Sequence, residues 1–156
     1  MRINNRAKVP NSLIEKVIAF CGLNNIDDWT LNIVDSYSTF FRAIINKNDN
    51  IHEKENEFAF DGQIRPQRKI ILIYVASEDS GKYPSLMHEN RSSKVYNSEE
   101  ALVFILAHEL YHVSTTDQFL KVDEKKKRFL KKEDEKKANS FAYNILRGWR
   151  KRLRGD

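Results

Sequence analysis

The stretch NSEEALVFILAHELYHV, residues 97–113, decides how this chain is read. Asn97 followed three residues later by Glu100 has the form of a capping box, which opens a helix. Ala101–Ala107 is apolar all round, so that helix is expected to be buried. It runs into His108-Glu109-Leu110-Tyr111-His112, an H-E-x-x-H pattern. Residues four apart share a helix face, so both imidazoles aim at one point. Two nitrogens at ~2.0–2.1 Å make half of a tetrahedral zinc site. Glu109 flanks that point without ligating, where it can take a proton from a zinc-bound water. Chance would place this pattern in about one chain in a hundred of this composition. The plainer reading is a pair of core histidines satisfied by hydrogen bonds.

Catalytic zinc takes a third protein ligand and keeps a fourth position open. No histidine follows His112. That removes the metzincin pattern and speaks against the SprT-like one, both of which use a later histidine. A carboxylate on the next helix is therefore expected. That helix carries an apolar stripe at Ala138, Phe141, Ala142, Ile145, Leu146 and Trp149. Projected backwards, Glu135 lies about 40° from the centre of the stripe and Asp134 about 60°. Glu133 falls towards solvent. Glu135 is thus the acid expected to point inward, with Asp134 as the alternative. Asn139 stands one turn after Glu135 and is placed to accept the distal N–H of a ligating histidine.

His108–His112 together with Glu135-Lys-Lys-Ala138-Asn139-Ser-Phe141-Ala142 resembles the Glu-zincin metallopeptidases. Within them the chain is most similar to the ImmA/IrrE-type peptidases, over about residues 98–147. The resemblance implies a zincin-like fold, His108, His112 and Glu135 as zinc ligands, Glu109 as general base and Asn139 behind the ligands. It also implies hydrolysis of peptide bonds in a protein substrate, and it gives the strand Lys69–Ala76 the place beside the cleft where an extended substrate pairs. A further donor usually supports the oxyanion. The candidates are His88, Tyr83 and Tyr143. His52 sits in a polar stretch and is expected to take no part.

The remainder of the chain reads as short elements. Asn11 or Ser12 is expected to cap a helix with apolar Leu13, Ile14, Val17, Ile18 and Cys21, closed by Gly22. Trp29, Leu31 and Ile33 alternate as in a strand, and Phe40–Ile45 is a second strand candidate. Asn46–Glu57 reads as a loop or exposed hairpin. Glu57–Phe60 and Lys69–Ala76 follow as strands, with Asp61-Gly62 as a turn signal between them. KIILIYVA (69–76) is apolar on both faces and is expected to be well covered. Ser77–Val95, with Gly81 and Pro84, reads as a long surface loop. The expected fold is α+β: one domain over 1–156, with a small, mostly antiparallel sheet against the H-E-x-x-H helix and a C-terminal helix bearing the third ligand.

Composition sets the outer bounds. With 156 residues, 40% hydrophobic and 31% charged, the chain can bury a core without disulfides. The longest apolar runs are far short of the ~20 residues that span a bilayer. The opening MRINNRAKVPNSL has no apolar secretory core, and Cys21 stands alone among apolar neighbours. A cytoplasmic setting with no membrane partner is expected. The net charge is +5, but residues 121–156 hold 14 Lys/Arg against 6 Asp/Glu, so the basicity is C-terminal. Lys121–Lys137 reads as a solvated face of the ligand-bearing helix. Arg147–Arg154 remains as a basic end and suits a helix C-terminus. It keeps open a nucleic-acid-associated protein as the alternative, beside an inactive peptidase-like interaction protein.

Overall fold

The computed structural model describes residues 1–44, 60–76, 85–88, 91–119 and 122–155, and it is an α+β arrangement. Its centre is the helix α3, Ser98–Thr115, which is buried on every side from Glu100 to Leu110. Asn97 caps it, its side-chain oxygen accepting from Glu100 N at 2.9 Å. The reciprocal half of the capping box is redirected. The Glu100 carboxylate accepts from Tyr96 N and from Arg150. The long helix α4, Glu124–Arg154, starts at an Asp123 cap and buries Ala138, Ala142, Leu146 and Trp149. Glu100 meets Arg150 while His112 meets Asp134, so the two helices pack antiparallel.

The sheet has β1 (Arg2–Asn5), β2 (Thr30–Val34), β3 (Phe60–Arg65) and β4 (Ile70–Val75) in the order β1-β2-β4-β3. Strand β1 runs parallel to β2 and β2 parallel to β4, while only β3 is antiparallel to β4. The expectation of a mostly antiparallel sheet is therefore overturned. One cause is β1, which RINN did not announce because Ile3 is its one apolar residue; the other is the parallel pairing of β2 with β4, which β1 does not determine. With β1 in place, α1 (Asn11–Cys21) becomes the crossover of a β-α-β unit, and such a connection makes its strands parallel.

One sheet face, through Leu31, Ile33, Ile71, Ile73 and Val75, packs into the core with α1, α3 and α4. The other face buries Leu72 and Tyr74 under α2 (Tyr37–Ile44). The two-sided burial expected of 69–76 is thus present. Helix α2 replaces the strand expected at Phe40–Ile45. Tyr37, Phe40 and Phe41 recur at helical spacing and cluster with one another, Tyr37 and Phe40 also meeting Tyr74, and Ser36 Oγ accepts from Thr39 N.

Three further expectations are corrected. No side chain caps α1: Pro10 precedes it, and Asn11 is bonded instead by Asn5 Nδ2. Gly22 does close the helix in the left-handed conformation (φ 61°). Asp61-Gly62 is not a turn but lies inside β3, and the chain reverses at Pro66–Arg68 with Lys69 at φ 51°. Within 77–95, Ser85–His88 (β5) and Arg91–Lys94 (β6) form an antiparallel pair where a loop was expected. The loop reading of Asn46–Glu57 and the residues His52 and Tyr83 lie outside the described residues. Cys21 is buried, which pushes its thiol up to about 12 and leaves it inert. Among the described residues no helix is long and apolar enough to cross a membrane.

Candidate metal centre

Successive turns of α3 place the two imidazoles edge to face, with Nε2 of His108 and Nε2 of His112 3.1 Å apart. Two hydrogen-bonding nitrogens held this close suit a shared partner between them. His112 is oriented from behind by Asp134, whose Oδ2 lies 2.6 Å from its Nδ1. With Nδ1 turned to Asp134, Nε2 is the ring nitrogen that faces His108 and the centre. Thr115 Oγ1 donates to the same Asp134 oxygen at 3.2 Å, so the buried carboxylate is itself held. Burial alone lowers the His112 imidazole. Hydrogen bonds to Glu135 and Asp134 outweigh it and push the group up to about 9.

Glu135 completes the group from α4. Its Oε1 is 3.1 Å from His108 Nε2 and its Oε2 is 3.1 Å from His112 Nε2. Hydrogen bonds from His108 and then His112 hold this carboxyl far below the usual carboxylate range. His108, His112 and Glu135 are the one set of three candidate ligands among the described residues, their ligand atoms lying within 4.8 Å of one another. The dimensions fit a metal. Ligands at ~2.0–2.1 Å in a tetrahedron stand about 3.3 Å apart, close to the 3.1 Å contacts here. Two imidazoles and one carboxylate also form a donor set that zinc accepts.

The inward projection ranked the two acids wrongly. Asp134 is the buried one, 8% exposed, whereas the Glu135 side chain is 56% exposed and reaches the histidines from the open side. Asn139 was expected to hold a ligating histidine and does not. Asp134 has that place on His112, and the buried Nδ1 of His108 has no hydrogen-bond partner among the described residues.

Glu109 sits beside the group, 5% exposed. Burial pushes its carboxyl up to about 7 against the pull of His108 and His112. It is in close contact with β3. A Cβ built on Gly62 would stand 2.6 Å from Glu109 Oε1 and 2.8 Å from its Cγ. A larger residue at 62 would therefore have to displace the Glu109 side chain, so the constraint there is space and not turn geometry. The D-G dipeptide carried that signal in a form that reads more readily as a turn.

The centre opens into a cleft of about 530 Å³. Gly62, Gln63 and Ile64 of β3 form one wall, α4 forms the other, and Thr116 and Phe119 extend the floor. Strand β4 is paired on both sides, so the expected substrate-pairing role of Lys69–Ala76 cannot be met there; among the described residues β3 is the sheet edge that borders the cleft. Tyr143 is not in the cleft lining. It lies eight residues beyond Glu135, about 12 Å further along α4. His88 is in β5. Of the basic end, Arg150 is engaged by Glu100 at 2.6 Å and by the Lys94 carbonyl. No protein-family model, no curated protein and no solved structure matches this chain.

Proposed function

We propose that this chain is a zinc-dependent peptidase of zincin-like fold, similar to the ImmA/IrrE type, that hydrolyses peptide bonds of an intracellular protein. The observation that carries the reading is the triangle of His108, His112 and Glu135 with the buried Glu109 at its side, all opening on one cleft. His108, His112 and Glu135 would hold the ion. Zinc held there would supply Lewis-acid polarisation of a carbonyl and make water more acidic.

This chain's residues do the rest. Asp134, fixed by Thr115, keeps the His112 ring turned towards the centre. Glu109 takes a proton from the attacking water and returns it to the leaving amine. A carboxyl raised by burial is suited to both transfers near neutral pH. The edge of β3 offers backbone N–H and C=O groups to an extended peptide and so lays the scissile bond across the centre. Tyr83 and His88 are the oxyanion donors to test by substitution.

Elemental analysis should find one zinc per chain. Glu109→Gln should keep the metal and lose cleavage of a peptide library. Undiminished cleavage by that variant, or a purified protein that takes up no zinc, would overturn the reading.

A further inference from the structure

Lys127 and Lys131 line the same cleft as the metal centre, on the wall formed by α4. They precede Glu135 by eight and four residues, so all three share one helix face. Pro66 and Gln67, just beyond the end of β3, line the cleft as well. The acids of the cleft are committed elsewhere. Glu135 faces both histidines, Asp134 holds His112, and Glu109 is buried against Gly62. Glu124 does contact Lys127 at 3.0 Å, but its side chain is 87% exposed, and such a pair is weak and readily exchanged. This arm of the cleft therefore presents positive charge to whatever lies in it.

Spacing turns that into a pattern. A helix rises ~1.5 Å per residue, so Lys131 and Lys127 stand about 6 and 12 Å from Glu135 along the axis. An extended peptide advances ~3.3 Å per residue, so those distances correspond to about two and four residues. Alternate residues of an extended peptide point the same way, so residues two and four away would both face one wall.

We propose that the cleft selects an acidic segment, with Asp or Glu about two and four residues from the bond cleaved, on the side towards the start of α4, received by Lys131 and Lys127. This rests on the peptidase reading for the word cleaved, while the charge preference can be measured without catalysis.

The probe is a pair of fluorescent decapeptides, one with glutamate at alternate positions and one with lysine there. Their binding to the Glu109→Gln protein is followed by anisotropy, with and without one equivalent of zinc. The glutamate peptide should bind roughly tenfold tighter at low salt, a difference of about 1.4 kcal/mol. The preference should fade at 0.5 M salt and reverse in the additional Lys127→Glu/Lys131→Glu variant. Lys151→Glu/Arg152→Glu, at the far end of α4, should leave it in place. Equal binding of the two peptides, failure of both to bind, or equal loss in both charge-swapped variants would overturn the proposal. Cleavage without acidic preference would refute this inference and leave the peptidase reading standing. Acidic preference in a protein that never cleaves would do the opposite.

Discussion

Replacing Gly62 with alanine adds one methyl group against the middle of the Glu109 side chain. The new Cβ would stand 2.6 Å from Oε1, 2.8 Å from Cγ and 2.9 Å from Cδ. Carbon contacts relax to about 3.5–4.0 Å, so the carboxylate must move by close to an ångström. Rotating only its tip does not help, because Cγ is also too close. Neither does solvent offer an escape, since Glu109 is 5% exposed. Overpacking of this kind costs about 1–3 kcal/mol of stability, and an ångström of misplacement at a reacting group costs about a hundredfold in rate. The metal ligands come from other positions and should be unaffected. Gly62→Ala is thus expected to retain one zinc, lose a few degrees of Tm and cut kcat for peptide hydrolysis by about a hundredfold. Gly148→Ala is the control: its Cβ meets only Phe20, at 3.2 Å and beyond. Full activity in Gly62→Ala would refute the view that this contact sets the Glu109 position.

Asp134→Ala removes the acceptor behind His112 and should weaken zinc binding about 10–100-fold, read by competition with a chromogenic chelator; unchanged affinity would exclude the orienting role. Because His112 is pushed up to about 9 without metal, zinc must displace its proton at neutral pH. Calorimetry in buffers of different ionisation enthalpy should show about one proton released per zinc at pH 7.5, and none released would contradict the hydrogen-bond scheme. In chelator-treated protein the raised His112 group contributes stability that is complete below about pH 6.5 and lost as pH rises through about 9. Its Tm should therefore fall across that window, and a rise there would reverse the sign. Arg150→Ala leaves Glu100 without its charge partner and should cost about 2 kcal/mol in urea unfolding, less than for a fully buried pair because both groups are partly wetted.

The parts of the fold legible in the sequence are those where one period dominates. Ala101–Ala107 and the 138–149 stripe admit only buried and amphipathic helices, and KIILIYVA only a covered strand. Failures came where two signals overlapped. Tyr37-Ser-Thr-Phe40-Phe41 has aromatic residues that favour strands, yet their spacing is helical and Tyr74 receives them. Arg2–Asn5 carries too little apolar pattern to declare a strand, because an edge strand is specified by its partner's backbone. Losing it also lost the crossover and hence the direction of the β1–β2 pair. In the candidate site, the 108–112 spacing fixes the histidines directly. The helical wheel ranks acids by how far they turn inward, and here the more exposed one reaches the histidines. Gly62 and Thr115 act through tertiary proximity, which no local pattern encodes.

Helices α3 and α4 are fastened at both ends of their contact, by Glu100 with Arg150 and by His112 with Asp134. The second fastening also delivers Glu135, which follows His112 by 23 residues of chain. A growing polypeptide consequently carries both histidines for 23 further residues of synthesis before the carboxylate that joins them is made. Only when α4 has emerged and docked against α3 does the group of three exist. Order of synthesis alone delays assembly of the centre until α4 has been made, so it is absent from any nascent chain still short of that helix.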